Sequence, residues 1–169
     1  MDFNNIRIRK AVSNDMIYVA AMIKELAAFE NLPDAPQIDH KKLIEDGFES
    51  KKPAFKCFVA ECLSTNTLVG HAIYFPIYSS WEGRSMFLED LFVKREYRNH
   101  HIGSNLIKAI AKEAFNENCI RIDLHLLSSE SPARGFYKKL NAVNLTKNGE
   151  GSDWNYVRFR KEAIAKLAE

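Results

Sequence analysis

Residues 87–112 read FLEDLFVKREYRNHHIGSNLIKAIAK, and the fold turns on how that stretch divides. Apolar residues crowd positions 87–93 in the manner of a strand covered on both faces, and a helical period begins after Gly103 with Leu106, Ile107, Ile110 and Ala114. Between them runs the basic turn Lys94-Arg95-Glu96-Tyr97-Arg98-Asn99-His100-His101. The first amide N–H groups of a helix lack intrahelical partners and carry the positive end of its dipole, so a basic loop feeding a helix start suits a phosphate. On charge alone the same turn reads equally as a solvated strand-to-helix connection.

The rest of the 169 residues bounds that reading. The length suits one domain with a core that needs no staples. Hydrophobic residues make up 46% and charged residues 27%, the balance of a soluble globular chain. Lys and Arg total 24 against 22 for Asp and Glu, which offers no global argument for nucleic acid. Cys57, Cys62 and Cys119 have neither zinc spacing nor an even count, and are read as reduced, buried thiols, with no metal site expected. The first ten residues lack a long apolar run, and no stretch approaches the roughly 18 apolar residues of a membrane span, so a cytoplasmic location is expected.

In chain order, residues 6–9 alternate as a short strand, and Ser13 or Asn14 can cap a helix to about Phe29 whose stripe draws on Ile17, Ala20, Ala21, Leu26 and Ala28. Pro33 and Pro36 forbid its continuation. Asp39 caps a short helix that Gly47 should stop. Strands at 54–62 and 67–77 pair as a hairpin through Ser64-Thr65-Asn66, and Trp81 in the next reversal is expected to anchor on the core. After the helix of the central stretch, 120–127 reads as a strand parallel to its neighbour, because a helix joins them. Residues 128–132 cap a helix bearing Phe136, Tyr137 and Leu140, which Asn141 ends. Strands at 142–146 and 154–160 and a helix at 161–168 close the chain. The class is α/β in the broad sense (α+β): a mixed, mostly antiparallel sheet flanked by helices on both faces.

Arg98-x-x-x-x-Gly103, directly after Glu89-Asp90, resembles the R/Q-x-x-G-x-G/A signature of the GCN5-related N-acetyltransferases. MIKELAAFE, KLIEDGF, IYSSWEGRS, FLEDLFV, YRxxxIGS and GFYKKLNA look like the spermidine/spermine branch of that family, and IYSSWEGRS leans toward its thialysine-acetylating side. The resemblance implies the acyl-CoA N-acyltransferase fold and acetyl transfer from acetyl-CoA to a primary amine of thialysine or a related diamine or polyamine. It also implies a homodimer. No nucleic acid partner is expected, since the basic turn lacks a stripe of base-stacking aromatics and a positive balance, and no membrane partner, since no long apolar stretch is present. Carried over by position, backbone groups of Leu91, Phe92 and Val93 pair with the pantetheine arm of CoA. Asn99, His100, His101, Ile102, Gly103 and Ser104 wrap its pyrophosphate, Arg98 adds charge, and Glu130, Ser131, Pro132 and Ala133 touch its far side. Phe29 and Glu30 line the amine pocket with Glu89.

The chemistry imposes its own demands. An alkyl ammonium with a pKa near 10 is about one thousandth free amine at neutral pH, a deficit worth about 4 kcal/mol that carboxylates around the amine can help recover. Successive strand residues face opposite ways, so only one of Glu89 and Asp90 can enter a cleft unless the strand is bulged. On the residues alone the pair reads as solvated or ion-paired; the resemblance selects Glu89 as proton relay and leaves Asp90 mainly structural. It likewise makes Tyr137 the acid that protonates the departing CoA thiolate, where a lone helix Tyr would otherwise be a core residue.

Two positions depart from the family pattern. His101 replaces the first glycine of the signature, which a negative φ would accommodate, and Glu130 replaces an Asn that helps hold pantetheine. These departures support a rival reading, a degenerate, non-catalytic acyl-CoA-binding module. A second alternative is acetylation of spermidine or spermine at N1.

Overall fold

A computed structural model describes residues 5–126, 133–145, 159–160, 163–164 and 167–168. Two units stand out along the chain, residues 1–128 and 129–169. The first is built on a five-stranded sheet in the order β1 (Ile6–Lys10), β2 (Lys56–Cys62), β3 (Thr67–Ser79), β4 (Gly83–Val93) and β5 (Ile122–Leu124). The first four run antiparallel, and β5 lies parallel to β4 because α3 (Ile102–Asn116) carries the chain between them.

One face of this sheet is sealed by α1 (Met16–Phe29) and α2 (His40–Ile44). Met16, Val19 and Met22 of α1 and Leu43 of α2 pack there on Cys57, Val59, Leu68, Ile73 and Phe92. Full burial of such side chains contributes about 1.5–3 kcal/mol each, so this cluster is the main anchor of α1. The other face takes α3, which buries Ile102, Leu106, Ile110 and Ala114. There the Tyr74 hydroxyl donates to Glu113 Oε2 at 2.9 Å, and Lys56 Nζ donates to Glu113 and Glu117 at 2.6 and 2.7 Å.

Several expectations need correction. The first helix is entered through a 3-10 turn at Ser13–Asp15, and Asp15, not Ser13 or Asn14, takes the free N–H of Val12 at 2.8 Å while binding Arg9 at 2.6 Å. Starting α1 at Met16 rotates the buried stripe to Met16, Val19, Met22 and Ala27 and turns Ile17, Ala21 and Ala28 to solvent. Asp39 does cap α2, accepting from the Lys42 N–H at 3.0 Å. Gly47, however, does not stop the helix: a π turn runs on through Glu49, and a Cβ at Gly47 would come within 2.6 Å of the Phe55 ring, so packing demands the glycine. Trp81 is 82% exposed at the tip of the β3–β4 hairpin, where a core anchor was expected. The parallel strand is shorter than 120–127, since Ile120 and Arg121 form the entry to β5 and residue 127 lies outside the described residues.

In the second unit, α4 (Ala133–Lys139) ends as expected at Asn141, which takes the left-handed conformation with φ 63°. Residues 142–144 form no strand, contrary to expectation, and 145 is helical. The strand expected at 154–160 falls almost wholly outside the described residues. Of the terminal helix, Ile164 N donates to Arg160 O and Ala168 N to Ile164 O, the i to i−4 pattern expected there.

Candidate active site

The feature that shapes the site is a bulge in β4. Leu88 stands opposite Tyr74 and Asp90 opposite Ile73, leaving Glu89 inserted without a partner on β3. Leu88 therefore shares the α3 face with Tyr74, whereas Asp90 shares the α1 face with Ile73 and His71. The inserted residue resolves the objection that neighbouring carboxylates must diverge: Glu89 and Asp90 no longer obey simple alternation. Glu89 is exposed, while the Asp90 side chain is 14% exposed and accepts from Nε2 of the buried His71 at 3.0 Å.

Past the bulge, β4 and β5 part. Their pairing covers Met86–Leu88 against Ile122–Leu124 and no further, so among the described residues the last part of β4 is paired only with β3. Lys94 N donates across to Val69 O, and the Val93 carbonyl points the other way, accepting from Arg98 Nε at 2.9 Å. Backbone polar groups alternate between the edges of a strand, so those of Leu91 and Val93 face the open side. An extended, hydrogen-bonding chain can add to such an edge as a further strand.

The basic turn follows at once. Buried Tyr97 and Ile102 pin its two ends, and His100 and His101 are exposed between them. Asn99 and His101 take left-handed conformations, φ 65° and 60°. For Asn this is common; at His101 the negative φ that would accommodate a side chain is not met, and the conformation carries strain of about 1–2 kcal/mol. The first helical bond is from Asn105 N to His101 O, so the N–H groups of Ile102, Gly103 and Ser104 have no partner inside α3.

Arg98 does not simply project into solvent with its charge. Its guanidinium carbon lies 4.7 Å from the Phe29 ring centre and 5.8 Å from that of Phe92, which ties the end of α1 to the turn. Beside Phe29, burial and then the nearby charge of Asp90 hold the Glu30 carboxyl above its ordinary range. Glu30, Asp90, Phe29, Phe92, Val93 and Arg98 are thus gathered at one end of the sheet, with Glu89 on the bulge beside them. Tyr137 stands on α4 in the second unit, half-buried, with its ring 5.1 Å from that of Phe136. Ala133 opens that helix, and Glu130, Ser131 and Pro132 lie outside the described residues. The sequence reading missed His71, whose signal was a single polar residue within the apolar run LVGHAIYF.

A model of the acetyltransferase (GNAT) family matches residues 20–142. The chain belongs to the GNAT family. Within it, a thialysine N-epsilon-acetyltransferase from Sus scrofa is 39% identical over 97% of this chain and 98% of its own length. A spermidine/spermine N(1)-acetyltransferase-like protein 1 from Homo sapiens is 31% identical over 99% of this chain and 24% of its own. Among solved structures, an integron cassette protein from the V. cholerae mobile metagenome has a TM-score of 0.74 at 23% identity, each chain covered to 98%, a likeness of fold. As a GNAT protein the chain is an acetyl-CoA-dependent N-acetyltransferase. The free edge of β4 and the unpartnered amides at the start of α3 fit the polar arm and pyrophosphate of CoA.

Proposed function

We propose that this protein transfers the acetyl group of acetyl-CoA to a primary amine of thialysine or a related diamine or polyamine. The observation that carries the reading is the parting of β4 from β5 immediately after the bulge at Glu89. That geometry offers a strand edge for the pantetheine arm and sets carboxylates next to it.

In the proposed reaction Leu91 and Val93 supply backbone to the arm, whereas Phe92, expected to join them, turns its backbone to β3, and residues 99–104 supply amides to the pyrophosphate. Phe29 and Glu30 receive the ammonium group, with Asp90 reinforcing the negative field. Glu89 accepts the ammonium proton, directly or through a water, and so raises the small fraction of free amine. The amine attacks the thioester carbonyl, the C–S bond breaks, Tyr137 donates its proton to the leaving thiolate, and the proton shed by the acylated nitrogen passes through water to return Tyr137 to the phenol. Glu130, Ser131, Pro132 and Ala133 complete the cofactor contacts. We assign the chain to a single catalytic domain, since the family match crosses from the first unit into the second, and propose a cytoplasmic homodimer.

Identity to the porcine thialysine enzyme along nearly the whole chain supports thialysine as acceptor over spermidine or spermine. The left-handed His101 favours one competing view, a module that binds acyl-CoA weakly and does not turn over. A thiol-release panel with thialysine, lysine, putrescine, spermidine and spermine separates these readings. Turnover led by thialysine supports the assignment, turnover led by spermidine moves it to the polyamine alternative, and no turnover with any amine removes it.

A further inference from the structure

His71 is wholly buried in β3, opposite Phe92, in a strand whose other inward residues are apolar. Nothing in the reaction outlined above uses it. Its Nε2 meets Asp90 Oδ2 at 3.0 Å, while Nδ1 is buried without a hydrogen-bond partner among the described residues. An unpartnered polar atom in a core is unfavourable by about 1–3 kcal/mol, so the strand holds an imidazole where a benzyl ring would be easier to bury. With the ring proton on Nε2, the imidazole donates to Asp90 and only the Nδ1 lone pair goes unpartnered; the opposite tautomer would set a lone pair against the carboxylate.

The surroundings say what that hydrogen bond does. Asp90 is turned to this face by the Glu89 bulge, and its charge is felt by Glu30 at the end of α1. Two carboxylates converge there, and the hydrogen bond from His71 fixes Asp90 Oδ2. The His71 ring also leans on Phe92 at 6.1 Å, and Phe92 lies under Arg98, which stacks on Phe29. Asp90 is therefore held by a ring braced against Phe92, beside the end of α1 where Glu30 lies.

We propose that His71 is a positioning residue for acceptor binding: its Nε2–H fixes the Asp90 carboxylate toward the pocket beside Glu30, and so sets affinity for the cationic amine without touching it. This rests on the amine pocket assigned above. A ring that merely filled space would be replaced by Phe without consequence for the acceptor.

The test compares wild type with His71→Phe, which keeps bulk, and His71→Gln, whose amide N–H can reach the place of Nε2. Asp90→Asn and the double variant His71→Phe/Asp90→Asn complete the set. The expected result is a roughly tenfold rise in thialysine KM for His71→Phe, with kcat and acetyl-CoA affinity within about twofold, since one charge-oriented contact is worth about a factor of ten. Gln should restore most of the affinity, and His71→Phe should add nothing once Asp90 is Asn. An unchanged amine KM in folded His71→Phe, a Gln variant no better than Phe, or additive losses in the double variant would overturn the proposal. If wild type acetylates none of the amines, the proposed function fails on its own account. The positioning role is then decided by NMR of the His71 ring nitrogens during thialysine titration: shifts in wild type that vanish in Asp90→Asn uphold it, and no shift in wild type refutes it.

Discussion

Leu88 and Asp90, two residues apart on β4, face opposite sides of the sheet. Residues at that spacing normally share a face, and the inserted Glu89 is what separates them. The same insertion occurs where β5 leaves β4, so one local irregularity both opens a strand edge and redirects an acidic side chain. The acceptor and cofactor parts of the proposed site are thereby placed side by side by backbone geometry, before any side chain is considered.

Glu89→Gln keeps the size of the residue and removes its ability to take a proton. General-base catalysis is worth about 10²–10⁴-fold, and since Asp90 and water can substitute in part, a fall in kcat of about 10–100-fold is expected. Acetyl-CoA affinity by calorimetry should be unchanged. The loss should shrink as pH rises toward the pKa of the amine, because less proton removal is then required.

Tyr137→Phe tests the other end of the proton path. The variant should lower the acetylation rate by about 100-fold, the lower end of the range for a lost general acid, while altering CoA binding little. Equal rates in wild type and variant would take Tyr137 out of the mechanism.

His101→Gly removes a left-handed side chain from the turn that precedes α3. Relief of strain is partly offset by the greater freedom of glycine in the unfolded chain, so a gain of up to about 1 kcal/mol in denaturant unfolding is expected. If the imidazole also crowds the pyrophosphate, the variant binds acetyl-CoA more tightly in the same calorimetric experiment.

Glu30 carries a pH signature. Burial, and secondarily the charge of Asp90, raise its folded-state pKa above the unfolded value. Its contribution to stability is fully present below the unfolded pKa and is lost as pH rises through the folded one. Glu30→Gln should therefore be more stable than wild type above that window and lose the advantage below it, while its amine KM rises. Urea unfolding at a series of pH values, beside steady-state kinetics, checks both halves.

Much of this arrangement was legible in the sequence because it rests on local chemistry. Periodicity located the strand and helix of residues 87–112, Asp39 announced its cap, and Asn141 its left-handed stop. What stayed hidden depended on pairing between distant residues. The bulge is a mismatch in count between β3 and β4, visible only when Tyr74 and Ile73 are set against Leu88 and Asp90. His71 had no motif around it, and its role emerges only from the carboxylate that the bulge brings over it. Arg98 illustrates the same limit: its charge pointed to phosphate, but its stacking on Phe29 required knowing where α1 ends. Gly47 looked like a stop signal because its real reason, the ring of Phe55, lies across a turn.

The most direct test of the account is release of CoA thiol from acetyl-CoA by the purified protein in the presence of thialysine. Saturable release matched one-to-one by acetylated amine, and slowed about 10–100-fold in Glu89→Gln, is the predicted result. Tight acetyl-CoA binding with no thiol released at any concentration of thialysine or the other amines would contradict it.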